Sequence, residues 1–335
     1  MHARLTRRQF LERTSAAGVA LGLLPETPQP GRMFISQNGA VAPRTTWPES
    51  ARLAARVGYG GMDWGLPAAR EFGLEQTRAL FADLRLQPTI VGLPMTAQAA
   101  FGDEAAYKEG LTRLTDDAAF VAGVGCRRMM LVMTPVSPQP KAERWTLVRD
   151  RLAGIAAVLN RHQIRLGLEF LGPLCMRSEA GCGPAGGGRR GAGAAGPPAP
   201  PPAPRIPFVW TLPETVALGR ESGPNVGAVL DVWHWYHSGG TVADILATDP
   251  NRIVHVHLSD ARAMPAEDVR DNMRLMPGEG IVDLTGFLQA LRKIGYAGGV
   301  APEPLGRIPM EMAPEEASRL GYETTLAAMK KAGVL

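Results

Sequence analysis

Four ionisable residues each stand at the end of a short apolar run in the second half of the chain: Glu169, Asp231, His257 and Glu303. The runs read IRLGLEF, VGAVLD, IVHVHL and GGVAPE, and helical sequence separates each run from the next. In a closed parallel barrel the carboxyl ends of the strands meet on one face, so these side chains should converge. Three carboxylates and one imidazole suit one divalent metal ion, with manganese expected first and magnesium, cobalt or zinc as alternatives.

Such a site favours proton transfer at carbon. A metal ion that holds adjacent carbonyl and hydroxyl oxygens acidifies the C–H bond between them, because it stabilises the enediolate. One carboxylate can then take the proton while a second returns it to the opposite face. Glu169 and Glu303 are the candidate catalytic pair, because they lie on well-separated strands. The alternative role for Glu169 is a surface salt bridge. This role fits poorly, because Glu169 stands inside an apolar run.

Further polar and aromatic residues lie close to these positions. His255 and His257 alternate with valine, so both side chains point to one face of their strand, and His257, nearer the strand end, is the expected ligand. Asp63, at the end of an earlier apolar run, and Trp233, just after Asp231, are candidate substrate-binding residues. Packing over the top of the barrel is the alternative for Trp233.

The elements that must position these residues alternate along the chain. Apolar runs predict eight strands, at residues 33–36, 61–64, 88–92, 128–133, 164–170, 226–231, 253–258 and 299–302. Amphipathic stretches between them predict helices. This alternation predicts an α/β fold, a single-domain (β/α)₈ TIM barrel over residues 30–309, followed by a C-terminal helix in residues 310–335. A doubly wound sheet is the alternative, but no G-x-G-x-x-G fingerprint stands at any strand–helix junction.

Composition narrows the function classes. The net charge is +4, and the first 24 residues carry three of these charges, so no basic face for nucleic acid is predicted. No apolar run reaches the ~18 residues of a membrane span, so no stable membrane anchor is expected. The three cysteines have no metal-ligand spacing, and their odd number predicts no disulfide framework. No feature predicts an oligomeric state.

The segment TRRQFL at residues 6–11 resembles the twin-arginine export signal, and a short apolar stretch follows it. Residues 1–29 are therefore expected to be a signal peptide and linker, with the twin-arginine export machinery as partner and a periplasmic or secreted location. No clear A-x-A cleavage site follows. A cytoplasmic location is expected if this segment is an ordinary first helix with a chance arginine pair.

One insertion, at about residues 176–205, interrupts the barrel pattern. Between residues 181 and 204, 21 of 24 positions are Gly, Ala or Pro. Such a segment buries too little apolar surface to offset its ordering entropy, which predicts disorder. Three interpretations stay open: an active-site lid, a tolerated linker, or a local slip of reading frame in GC-rich DNA.

The chain resembles the xylose isomerase-like sugar phosphate isomerase/epimerase superfamily over roughly residues 32–309, apart from the insertion. The segment AARVGYGGMDWG and the ordered set of four ionisable residues carry this resemblance. The resemblance implies a TIM barrel with one divalent ion, commonly manganese, on the four residues, and the two glutamates as acid/base pair. It also implies that His234 contacts substrate oxygens. Arg262 corresponds to the family's substrate arginine, at a spacing one residue short.

These features predict a metal-dependent isomerase or epimerase of a small sugar or ketose. A lyase that eliminates a β-oxygen from a keto-sugar or keto-glycoside would use the same metal site. A DNA-repair enzyme like endonuclease IV would need further histidines on the early strands, and residues 3–161 contain none. A sugar-binding barrel without catalysis would not need to retain a metal ion.

Overall fold

The computed structural model describes residues 31–178, 181–182 and 204–335. The expected export signal and most of the Gly/Ala/Pro-rich insertion lie outside the described residues. The segment limits expected there, at residue 29 and at about residues 176–205, therefore stay predictions.

Eight parallel strands form a closed barrel: β1 (Phe34–Gln37), β2 (Gly61–Trp64), β3 (Gln87–Gly92), β4 (Arg128–Val132), β6 (Arg165–Glu169), β8 (Val226–Asp231), β9 (Ile253–Leu258) and β10 (Gly299–Pro302). Their order around the barrel is β1-β10-β9-β8-β6-β4-β3-β2. Two short strands outside the barrel, β5 (Val136–Ser137) and β7 (Ile206–Pro207), pair antiparallel. The predicted (β/α)₈ barrel is confirmed.

Helices connect the strands and cover the outside of the barrel. They are α1 (Trp47–Val57), α2 (Leu66–Phe72), α3 (Leu74–Asp83), α4 (Ala97–Phe101), α5 (Glu104–Val124), α6 (Lys141–Asn160), α7 (Leu174–Arg177), α8 (Leu212–Ser222), α9 (Val232–His237), α10 (Val242–Leu246), α11 (Leu284–Ile294) and α12 (Pro314–Lys331). Side chains cap several helix starts; Asp103 begins α5 by accepting the backbone N–H of Ala106. Among the described residues, no helix is both long enough and apolar enough to cross a membrane.

An apolar cluster lies inside the barrel below the strand ends. Ile90, Val229 and Val254 form this buried cluster, and Met130 packs against it. Gly167 lies beside it, since a Cβ atom there would lie 2.6 Å from Cγ2 of Val229. His255, a buried polar residue, is the register partner of Val229.

A disulfide lies in the loop after β6. It joins Cys175 on α7 to Cys182, a single bridge where the sequence predicted no disulfide framework. An odd number of cysteines leaves room for one bridge, and Cys126 stays free and buried. On the far side of the insertion, the Arg205 guanidinium donates to the carbonyls of Met176 and Ser178. Both ends of the insertion are therefore anchored to the same short stretch of chain.

Candidate metal centre and active site

The four predicted ligands converge at the carboxyl end of the barrel. Their ligand atoms all lie within 4.8 Å of one another. Nδ1 of His257 lies 2.9 Å from Oε1 of Glu169, 3.4 Å from Oε2 of Glu303 and 4.0 Å from Oδ2 of Asp231. Glu303 is the most open of the four, with a side chain that is 16% exposed.

Local structure sets the orientation of Asp231. The residue ends β8 and begins α9, and its Oδ1 accepts the backbone N–H groups of Trp233 at 2.7 Å and His234 at 3.0 Å. Helix capping therefore uses one carboxylate oxygen, and Oδ2 is left to face the cluster. This explains why the strand must end at an aspartate that a short helix follows directly.

The cluster carries an excess of negative charge. Burial, together with the neighbouring Glu303 and Asp231, raises the pKa of Glu169 to about 7. Burial opposes protonation of His257, yet Glu303, Asp63 and Glu169 raise the pKa of this imidazole well above its ordinary value. Both groups thus hold protons more tightly than free side chains do, because a proton offsets part of the negative charge of the neighbouring carboxylates.

This donor set fits one divalent cation. Three carboxylates and one imidazole are the ligands of manganese, magnesium, zinc or cobalt sites, and four ligand atoms this close can share one ion. A divalent cation would also neutralise much of the excess negative charge of these ligands. Glu169, Asp231, His257 and Glu303 are thus the residues that would hold the ion.

Arg274 is a buried residue of this site that the sequence analysis missed. Its Nη1 donates to Oδ2 of Asp231 at 2.6 Å and to Oε2 of Glu303 at 2.8 Å. Its Nη2 donates to Oδ1 of Asp271 at 2.7 Å and to Nε2 of His234 at 3.1 Å. Burial opposes the charge, but these carboxylates raise the pKa of Arg274 above its ordinary value. The guanidinium is therefore a fixed cation at the edge of the cluster.

The irregular segment after β9 brings Arg274 to this position. Asp260, buried just past β9, accepts backbone N–H groups from Gly278, Gly280 and Val282 at 3.0–3.1 Å. These bonds fold the segment back over the strand ends. The aspartate followed by the turn PGEG was the available sequence signal, but it does not point to the arginine itself.

Trp233 and Arg262 differ from their expected surroundings. Trp233 is 1% exposed, and its ring centroid lies 4.9 Å from Cζ of Arg274, so its contact with the site passes through the guanidinium. Arg262 is exposed, and its charge acts on the carboxylate of Glu279. Among the described residues it has no hydrogen bond or ion pair with the four ligands. Arg274 lies where Arg262 was expected.

His234 has a ring N–H group that donates no hydrogen bond among the described residues. Its Nε2 faces Arg274, and because a guanidinium can only donate, Nε2 accepts and Nδ1 carries the proton. Burial lowers the pKa of His234 to about 4, which keeps the ring neutral. Nδ1 is buried and has no hydrogen-bond partner among the described residues. A buried N–H of this kind indicates a missing acceptor.

Comparison with known proteins identifies the barrel type. Residues 51–331 match the family described as xylose isomerase-like TIM barrel. The chain belongs to this family. A xylose isomerase domain protein from Alicyclobacillus acidocaldarius is 26% identical, with a TM-score of 0.75 over 90% of this chain and 99% of that one. The IolI protein, whose crystal structure contains a zinc atom, shares the fold at 21% identity and a TM-score of 0.71, over 90% and 99% of the two chains.

Curated relatives match over shorter stretches. An inosose isomerase from Halalkalibacterium halodurans is 30% identical over 115 residues, which are 34% of this chain and 40% of the relative. An inosose dehydratase from Bacillus licheniformis is 32% identical over 108 residues, which are 29% of this chain and 34% of the relative. The chain spans about two fifths of the length of the first curated relatives it matches.

In this xylose isomerase-like barrel, Asp63 lies against the two histidines of β9. Its Oδ1 is 3.0 Å from Nε2 of His255, and its Oδ2 is 3.3 Å from Nε2 of His257. Burial opposes ionisation, but both histidines lower the pKa of Asp63. Asp63 therefore lies beside the cluster, against the histidines of β9, and its role in substrate binding stays a prediction.

Proposed function

We propose that this xylose isomerase-like barrel is a divalent-metal-dependent isomerase or epimerase of a small sugar or ketose. The observation that carries the proposal is the approach of Glu169 and Glu303, from β6 and β10, to the same nitrogen of His257. Two carboxylates on separate strands around one metal site can act on a substrate carbon from two sides. The names of two similar curated proteins, an inosose isomerase and an inosose dehydratase, support an enzyme that modifies sugars.

A bound divalent ion supplies Lewis-acid polarisation of a substrate carbonyl, and manganese is the first expectation. Glu169 takes the proton from the adjacent carbon, because coordination to a cation keeps this carboxylate ionised and available as a base. Arg274 holds Glu303 through a hydrogen bond, so this second carboxylate meets the other face in a fixed orientation. His234 donates its free Nδ1–H to a substrate oxygen, which supplies the acceptor that the site lacks.

A lyase is the second candidate, and the match to inosose dehydratase favours it. Loss of the same C–H proton, followed by departure of a β-oxygen, would produce elimination from a keto-sugar or keto-glycoside. A ¹H NMR assay of the products separates the two candidates. An epimer or isomer supports the first, and an unsaturated ketone supports the second.

Glutamate substitutions test the proton-transfer role. Glu169→Gln and Glu303→Gln remove a proton acceptor with little change of size, and each should lower turnover by about 10²–10⁴-fold. One variant should still exchange a substrate C–H proton with D₂O, since the other carboxylate can perform a half-reaction. Metal content is measured in parallel. Full turnover in a metal-loaded variant at either position contradicts the proposal.

Glu279→Gln is the matched control, because Glu279 is a carboxylate of the same strand-end loops that pairs with Arg307 instead of the cluster. It should leave turnover unchanged.

We also propose export through the twin-arginine route, on the basis of the segment TRRQFL. Changing Arg7 and Arg8 to Lys should retain the protein in the cytoplasm, because the export machinery recognises the arginine pair. Cell fractionation measures this, and unchanged export of the double variant contradicts the proposal.

A further inference from the structure

We infer that Asp63 is a positioning residue for the metal centre: its carboxylate fixes the His257 ring so that Nδ1 faces the metal ligands. This inference rests on the proposed function, since it assumes that the four-residue cluster holds an ion. It replaces the expectation that Asp63 binds substrate.

The carboxylate of Asp63 is surrounded by donors. Oδ1 lies 2.7 Å from Oγ1 of Thr89, 3.2 Å from Oγ of Ser36 and 3.0 Å from Nε2 of His255. Oδ2 lies 3.0 Å from Nδ2 of Asn38 and 3.3 Å from Nε2 of His257. Three donors thus bond to the two oxygens, and two histidine nitrogens lie against this side chain, which is 11% exposed.

These contacts fix the orientation of the histidine ring. Hydroxyl and amide donors hold the carboxylate of Asp63, and its Oδ2 lies against Nε2 of His257. With Nε2 held beside Asp63, Nδ1 lies on the other side of the ring. That nitrogen is the one that faces Glu169 and Glu303. A carboxylate behind a metal-binding histidine holds the ring in this way.

The same contacts argue against a second metal ion. Asp63, His255 and His257 lie close enough together to hold an ion by themselves. However, the donors of Ser36, Thr89 and Asn38 already occupy both oxygens of Asp63. The chain should therefore bind one ion, and the polar group around Asp63 should act as its support.

Zinc titration of the full-length protein tests the role. We expect wild-type protein to bind one zinc ion, and Asp63→Asn and Asp63→Ala to raise the zinc dissociation constant by about 10–100-fold. Competition with a chromophoric chelator measures the affinity. The absorption spectrum of the cobalt(II)-loaded protein should also change in Asp63→Asn, because the ring is no longer held. A merely structural role would lower the melting temperature without altering that spectrum.

Two control variants test whether the loss of zinc affinity is specific to the contacts of Asp63. Thr89→Val removes one donor from the same carboxylate and should weaken zinc binding in the same direction but less. Thr77→Val removes a buried hydrogen bond from Thr77 to the carbonyl of Ala69, outside the barrel. It should affect the melting temperature and leave zinc affinity unchanged.

The outcomes separate the two proposals. If wild-type protein binds one zinc ion and folded Asp63→Asn keeps the wild-type affinity and cobalt spectrum, the inference on Asp63 is wrong and the proposed function stands. Two zinc ions per wild-type chain also overturn the inference. If wild-type protein binds no zinc, manganese or cobalt, the metal-dependent function fails, and the role of Asp63 fails with it.

Discussion

The two sides of the barrel mouth differ in the side chains at their strand ends. Strands β6, β8, β9 and β10 bring Glu169, Asp231, His257 and Glu303 to the cluster, whereas β3 ends at Gly92 and β4 at Val132. Val132 is paired in register with Glu169 and is 43% exposed, so an open apolar side chain neighbours the candidate base. Charge is concentrated on one side, and the other side is free to shape the pocket.

Under the proposed function, this difference assigns the chemistry to the charged strands and the fit of the substrate to the apolar ones. The charged side must keep its ligand geometry, because a metal ion tolerates little change in donor position. The apolar side can vary, because it contributes contact area and no charge. A barrel of this kind can therefore change substrate without rebuilding its metal site.

Removing a ligand from the charged side should have the largest effect. Asp231→Asn and His257→Ala should each abolish retention of a stoichiometric ion, because the first replaces an ionised carboxylate by a neutral amide and the second removes one donor of four. Asp231→Asn also weakens the ion pair with buried Arg274, so its melting temperature should fall. Metal analysis of protein purified without chelator measures the result. Asp244→Asn, at a surface helix cap, is the control. A full complement of metal in either ligand variant would refute the ligand assignment.

The charged side should also make metal binding depend on pH. Because the pKa of Glu169 is raised to about 7, its proton stabilises the metal-free protein at low pH, and this contribution is lost as pH rises through that value. Metal requires the ionised carboxylate. The increase in melting temperature caused by saturating zinc should therefore grow between roughly pH 5.5 and pH 8. A stabilisation by zinc that is constant or decreases over this range would contradict this electrostatic account.

A substitution on the apolar side should have a smaller effect. Val132→Thr keeps the side-chain shape and adds a hydroxyl, so it should change KM by less than about tenfold and leave metal content unchanged. Steady-state kinetics and metal analysis measure the two quantities. Loss of the ion from this variant would show that the two sides of the mouth are coupled.

Deleting residues 183–203 should have the smallest effect. This segment lies outside the described residues, but the disulfide and Arg205 anchor both of its flanks. Joining Cys182 to Pro204 should shift the melting temperature by less than about 3 °C, or roughly 1 kcal/mol, because loop-closure entropy changes slowly with length. Metal content should stay the same. A fall of more than about 10 °C would show that the segment packs on the barrel.

The parts that the sequence predicted are those set by local pattern. Glu169 and Asp231 were located because each ends a run of apolar residues, and barrel closure then brings such ends together. Arg274 was missed because it lies in an irregular segment, where backbone bonds to Asp260 determine its place. The disulfide of Cys175 was missed because its geometry depends on a loop without periodicity.

The contacts of Arg274 have a consequence for the order of assembly. Small metal-dependent domains often stay unfolded without their ion, because nothing else balances the ligand charges. Here the guanidinium of Arg274 pairs with Asp231 and Glu303, so a side chain of the protein itself neutralises part of the ligand charge. We therefore expect the barrel to fold before the proposed ion binds. Activity would then depend on which cations the folded protein meets.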